Sequence, residues 1–245
     1  VKDDNFMEPA DQQLPGVHPA PNIQAAPDVY EIENDAIDPD GLIEAAMWRI
    51  APWQGKLVVD LGAGTGYHLP RFHEQAAHVI GVEPHGPSRL RAMARCSALA
   101  LDHASVMTGS AEQIWLPDQL VDMVHARFAY FFGPGCEPGL RELQRIIRPG
   151  GVAFIIANNL RRRTFAAWLK RIPWFADANP DTEDQFWREQ GFALTEIDSE
   201  WRFQRRADLE AVVANEFPPE LAPTLLAEHQ GLSVSYVYNL YSRRY

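Results

Sequence analysis

The feature that most constrains this chain is a series of short, almost continuously apolar runs separated by helix-like stretches. KLVVDL (56–61), HVIGVE (78–83), SVMTG (105–109), LVDMVHAR (120–127) and VAFIIAN (152–158) form the series. A strand that is apolar at nearly every position is buried on both faces. The intervening segments read as helices. One carries Pro70 in its first turns and one runs from Pro87 to about Ala100. A third runs from Pro138 to Ile147 and is expected to break at RPGG (148–151). AEQI (111–114) reads as a short helical turn. Strands alternating with helices imply right-handed crossovers and a doubly wound, parallel α/β sheet.

The first strand runs into VVDLGAGTG (58–66), with Gly62, Gly64 and Gly66 at alternate positions. Glycines there permit a sharp turn and bring backbone N–H groups close to a ligand, at the carboxyl ends of the strands where such sheets bind. Glu83 closes the second strand about 20 residues on, a spacing that suits a carboxylate gripping two ribose hydroxyls. The spacing is not the G-x-G-x-x-G of nicotinamide-binding loops, because the third glycine comes one residue early. Asp60, just before the turn, would repel a pyrophosphate and suits a ligand with a positive amino group. That charge argument favours S-adenosylmethionine (SAM) over a dinucleotide.

Composition narrows the field. Of 245 residues, 22 are Lys or Arg and 33 are Asp or Glu, a net charge of −11. Residues 1–40 hold ten acids and one base, Lys2, so that arm carries −9 and the remaining chain only −2. Neither nucleic acid nor an anionic membrane is an expected partner. Cys96 and Cys136 are the only cysteines and form no C-x-x-C pair, so disulfides and zinc do not organise the fold and no metal is expected. The longest apolar run, VAFIIA, is far too short to span a bilayer, and no signal peptide is visible. A cytoplasmic location is the expectation.

The flanks are less regular. Residues 1–27, with five prolines, read as an extended arm. A helix is expected from Gly41 to Ile50, capped by Asp38 or Asp40. Beyond residue 160, helices are expected at 164–172, 181–191, 207–217 and 218–229, with a strand at 192–203. LSVSYVYNLY (232–241) alternates, as an antiparallel or edge-type strand would. Arg161, Arg162, Arg163, Lys170 and Arg171 form a basic cluster, either a solvated face or a site for an anionic acceptor. The tryptophans, including Trp168, Trp174 and Trp187, are expected mostly in the core, and Cys136 is given no catalytic role.

With VVDLGAGTG, GVEPH (81–85), GSAEQIWLP (109–117), LVDMVHARFAYF (120–131) and LRELQRIIRPGG (140–151) in order, the chain resembles the class I SAM-dependent methyltransferases of the small-molecule subgroup. The resemblance covers roughly residues 42–160. It implies a Rossmann-like, mostly parallel seven-stranded sheet with one antiparallel strand near the C-terminus. It also implies an arm and lid at 1–40 and a single domain at 41–245, divided into a SAM-binding half (41–160) and an acceptor-wall half (161–245). The loop Gly62, Ala63, Gly64 and Gly66 would run under the methionine part of the cofactor. Asp60 would meet its amino group, and Glu83 the ribose. Pro84, Ser110 and Ala111 would flank the adenine, with Ser110 standing where the family often has aspartate. Ala126 and Arg127 would approach the methyl group. Tyr130 is a candidate for the acceptor pocket. Tyr30 either covers the sulfonium or is an ordinary helix lead-in. His125 is either a pocket residue acting as base or a satisfied buried histidine. No catalytic base is evident. The expected function is methyl transfer from SAM to a small molecule, leaving S-adenosylhomocysteine. The alternatives are a non-catalytic binding protein on this fold and, less favoured, a nicotinamide-dependent oxidoreductase.

Overall fold

A computed structural model describes residues 14–245; residues 1–13, the first part of the expected extended arm, lie outside the described residues. Helices α1 (Pro21–Ala25), α2 (Pro27–Ala36) and α3 (Leu42–Ile50) come first. Then follow β1 (Leu57–Leu61), α4 (Leu69–His73), β2 (His78–Val82), α5 (Gly86–Ala98), β3 (Ala104–Met107), β4 (Val121–Arg127), α6 (Glu137–Ile146) and β5 (Ile147–Asn158). The C-terminal part contains α7 (Arg163–Leu169), α8 (Pro173–Ala176), α9 (Pro180–Glu189), β6 (Ala193–Arg202), α10 (Arg206–Glu216), α11 (Ala222–Glu228) and β7 (Ser233–Arg244). The seven strands follow the order β3-β2-β1-β4-β5-β7-β6, and the sheet is mixed, with its antiparallel pairing near the C-terminus. The chain divides into two compact units. One holds the described part of residues 1–19 with 51–156 and 242–245, and the other holds 20–50 with 157–241.

The first unit follows the apolar pattern. β1 pairs in parallel with β2 and β4, β2 with β3, and β4 with β5. Val58, Val59, Val79, Val82, Val121 and Phe154 are all fully enclosed, as strands covered on both faces must be. β3 is the edge strand and is only partly buried. Pro70 and Pro87 fall in the first turns of α4 and α5, where the missing N–H has no helical partner to lose.

Two local expectations change here. α6 ends just before RPGG, as expected, but RPGG itself lies inside a strand. Ile147 already turns to extended backbone, and residues 148–151 bulge within β5, where the register jumps from Val121↔Ile147 to Met123↔Val152. Gly150 takes a positive φ of 85° there, and the bulge exchanges backbone hydrogen bonds with Tyr245. AEQI is a turn closed by a Ser110–Gln113 bridge, not a helical one, because only two residues separate the paired backbones.

The second unit packs around aromatic rings. Phe165 stacks on Tyr236 at 3.9 Å, Tyr236 on Tyr238 at 4.1 Å, and Trp187 on Tyr241 at 4.9 Å. Each such pair contributes about 1 kcal/mol beyond simple burial. Trp168, Trp187 and Trp201 are core, whereas Trp174 is exposed. Residues 21–25 are helical instead of extended, because Pro21 stands in the first turn, where proline's fixed φ favours a helix. Asp38 caps α3 by accepting from the Ile43 N–H at 2.8 Å and is steadied by the Ser199 hydroxyl at 2.6 Å. Asp40 pairs with Arg202 instead. Of the two alternatives for β7, the edge position does not hold: it is an inner strand, and residues 236–241 are buried on both faces. Its polar side chains permit this: Asn239 accepts from Asn159 at 2.9 Å and donates to the Tyr241 hydroxyl at 3.1 Å.

Candidate cofactor site

The site grows from the end of β1. Gly62, Gly64 and Gly66 all take positive φ, at 74°, 56° and 76°, the left-handed region that disfavours other residues. Two of them are also needed for packing. A Cβ on Gly62 would lie 2.5 Å from the Cβ of Ala129, and one on Gly66 would lie 2.9 Å from that of Ala92 on α5. The loop's N–H groups are not held out for a ligand, contrary to the sequence expectation. Those of Gly62 and Ala63 donate to the Val82 carbonyl, that of Gly66 to the Ala63 carbonyl, and that of Gly64 to Glu83 Oε2 at 2.8 Å. A loop with these N–H groups engaged offers no nest for a pyrophosphate.

Two buried carboxylates flank this loop. Asp60 is 2% exposed. Its Oδ1 lies 2.7 Å from His125 Nδ1, while Oδ2 is buried with no hydrogen-bond partner among the described residues. The parallel register Asp60↔His125 sets this pair. Glu83 accepts from the Gly64 and His85 N–H groups, each at 2.8 Å, and Arg89 clamps the carbonyls of Glu83 and Pro84 at 3.0 Å. Burial outweighs those donors and pushes the Glu83 carboxyl up to about 7. Each Glu83 oxygen takes one N–H and keeps lone-pair capacity for a ribose hydroxyl. A buried, unpartnered Asp60 oxygen fits an ammonium. These groups therefore fit a ligand that carries both an ammonium and a ribose.

Around this pair, Ala111 and Ala126 are buried and Arg127 is 8% exposed. The Arg127 guanidinium lies 5.8 Å from the Phe128 ring. Phe128 and Tyr130 both hold positive φ, at 51° and 58°. Such backbone costs on the order of 1–3 kcal/mol for a non-glycine residue and concentrates at functional sites. The Tyr130 hydroxyl donates to Glu112 Oε1 at 2.6 Å, and burial together with that carboxylate raises its pKa strongly. Tyr130 is therefore a fixed donor and not a base. Ser110 donates to the Pro15 carbonyl at 2.5 Å, Gly16 lies against Glu112, and the His18 ring faces Tyr130 at 6.4 Å. No sequence signal marked residues 15–18 as neighbours of these loops. His68 was also missed. Its Nδ1 is buried without a partner among the described residues, and burial, then Arg127, holds its pKa well below the usual histidine range.

Other groups lie elsewhere. Tyr30 sits on α2, in the second unit. The arginine cluster is paired, Arg161 with Asp181 and Asp184, Arg162 with Glu196 and Asp198, and Arg171 with Glu228. His73 and His103 flank Asp102 at 3.1 and 2.6 Å. Their rings stack within 17° of parallel, so their in-plane lone pairs run side by side without converging on one ion.

Residues 58–151 match the methyltransferase domain family. An uncharacterized methyltransferase of Mycobacterium tuberculosis is 30% identical over 129 residues, covering 53% of this chain and 49% of that one. The ubiquinone/menaquinone biosynthesis C-methyltransferase of Rubrivivax gelatinosus is 33% identical over 101 residues, covering 41% and 39%. The chain thus spans half or less of the length of these relatives. A solved SAM-dependent methyltransferase from Aquifex aeolicus superposes with a TM-score of 0.54 at 17% identity, covering 88% of this chain and 97% of that one. Residues 58–151 are thus similar to a methyltransferase domain, and the fold is that of the solved methyltransferases.

Proposed function

We propose that this protein transfers a methyl group from SAM to a small-molecule acceptor. One observation carries the reading: a buried aspartate with one oxygen unpartnered, beside a glycine loop in which the Gly62, Ala63, Gly64 and Gly66 N–H groups are engaged within the protein. That combination suits a cationic amino end and not a dinucleotide phosphate. The relative named for quinone biosynthesis supports a small-molecule acceptor, and the free thiols of Cys96 and Cys136 suit a reducing compartment such as the cytoplasm.

When bound, the cofactor supplies a methyl carbon already activated by its sulfonium. The chain's work is to hold and orient. Asp60 takes the ammonium, and Glu83 takes the ribose hydroxyls. Pro84, Ser110 and Ala111 border the base, and the loop Gly62–Gly66 underlies the chain between them. Ala126 and Arg127 lie toward the transferred methyl, with Tyr130 as a wall of the acceptor pocket. Alignment of the acceptor with the methyl and exclusion of water are the main contributions asked of the protein. No side chain is assigned as base.

Isothermal titration tests the reading. Micromolar binding of SAM and S-adenosylhomocysteine, with none of NADH, is expected. Binding of NADH but not of S-adenosylhomocysteine would replace this reading with an oxidoreductase. Binding of SAM without methyl transfer to any hydroquinone or phenol in a labelled-methyl assay would favour a non-catalytic binding protein.

A further inference from the structure

We propose that His125 is a positioning residue for the cofactor, holding Asp60 through Oδ1 so that Oδ2 is reserved for the ligand's α-ammonium. The proposal rests on the SAM reading above and goes beyond it, since it assigns a role to a residue on the neighbouring strand.

His125 is 1% exposed and stands opposite Asp60 in the β1–β4 register. Its ring is enclosed. His68 meets it edge-on at 5.3 Å and 70°, and Phe72 tilts against it at 5.1 Å. A ring boxed in this way has little freedom to turn about its side-chain torsions. With Asp60 ionised, the 2.7 Å contact requires a proton on Nδ1, so the carboxylate also fixes the tautomer. The effect runs in both directions. One oxygen of Asp60 is tied down, and rotating the carboxylate would break a charge-assisted hydrogen bond. A carboxylate oxygen left buried and unpartnered is costly unless a ligand completes it. An apolar side chain at 125 would leave both oxygens loose and the ammonium seat ill defined.

The test compares two ligands that differ only at the end in question. S-adenosylhomocysteine carries the α-ammonium, whereas 5′-methylthioadenosine lacks the whole amino-acid end. In calorimetric titrations, His125→Leu should weaken S-adenosylhomocysteine about tenfold, while 5′-methylthioadenosine stays within about twofold. His125→Asn, which keeps an N–H near the position of Nδ1, should restore most of the loss. Equal affinity of His125→Leu and wild type for S-adenosylhomocysteine would overturn the proposal. So would an equal loss for both ligands, which would indicate structural damage alone. The wild-type protein gives a second readout that does not depend on a variant folding. The nitrogen resonance of His125 Nδ1 should be of the protonated type and should move on adding S-adenosylhomocysteine but not 5′-methylthioadenosine. An unprotonated Nδ1 would sink the idea. Failure of wild type to bind S-adenosylhomocysteine would instead remove the SAM reading itself.

Discussion

The two compact units treat charge in opposite ways. In the first, Asp60 and Glu83 are almost wholly buried, one with an oxygen unpartnered and the other carrying a carboxyl raised to about 7. In the second, Arg161, Arg162 and Arg163 stand on the surface with every charge matched by Asp181, Asp184, Glu196 or Asp198. The second region has the higher density of charge and offers less to a ligand. Incomplete satisfaction in a dry place points to a site, whereas complete pairing in a wet one points to a solvated face.

The sharpest test of that contrast separates stability from binding. Trp187→Ala, in the aromatic core, should cost roughly 3–5 kcal/mol of stability. Chemical denaturation should show it, and S-adenosylhomocysteine affinity below the transition should hardly change. Asp60→Ala should do the reverse, losing about 2 kcal/mol of binding, some thirtyfold in Kd by calorimetry, with a smaller change in folding. Equal effects of the two substitutions on binding would erase the distinction.

Glu83 gives a prediction in pH. Its folded pKa of about 7 lies above the ordinary 4.5, so the folded apo-protein holds the proton more tightly than the unfolded chain. Stability from this group is therefore present at low pH and declines as pH rises from about 4.5 to 7. Ribose hydroxyls favour the ionised acceptor, so cofactor affinity should fall about tenfold per pH unit below 7. Glu83→Gln should abolish that slope while weakening binding at pH 8. Smallest of all, Arg162→Ala should leave both the melting midpoint and the cofactor affinity unchanged within error, since an exposed ion pair contributes little.

The parallel strands were legible because each had to be apolar on two faces, and no helix of that length would be. The positions of Asp60 and Glu83 at strand ends were legible from the same pattern. What escaped reading depends on partners distant in sequence. The bulge at 148–151 mimics a helix stop, because Pro and Gly serve both purposes. β7 was read as an antiparallel or edge-type strand; its inner place was hidden because the alternation of Leu, Val and Tyr conceals Asn239, whose amide is satisfied only once Asn159 and Tyr241 come beside it. The Asp60–His125 contact joins residues 65 apart and exists only through strand register.

The Gly62–Ala129 contact has a consequence for anyone reshaping this protein. The space for a Cβ at 62 is already filled by the methyl of Ala129, so the turn after the first strand and the segment following the fourth are keyed into one another. Enlarging residue 129 would push directly on the neighbouring turn. Reshaping either segment therefore requires re-optimising the other.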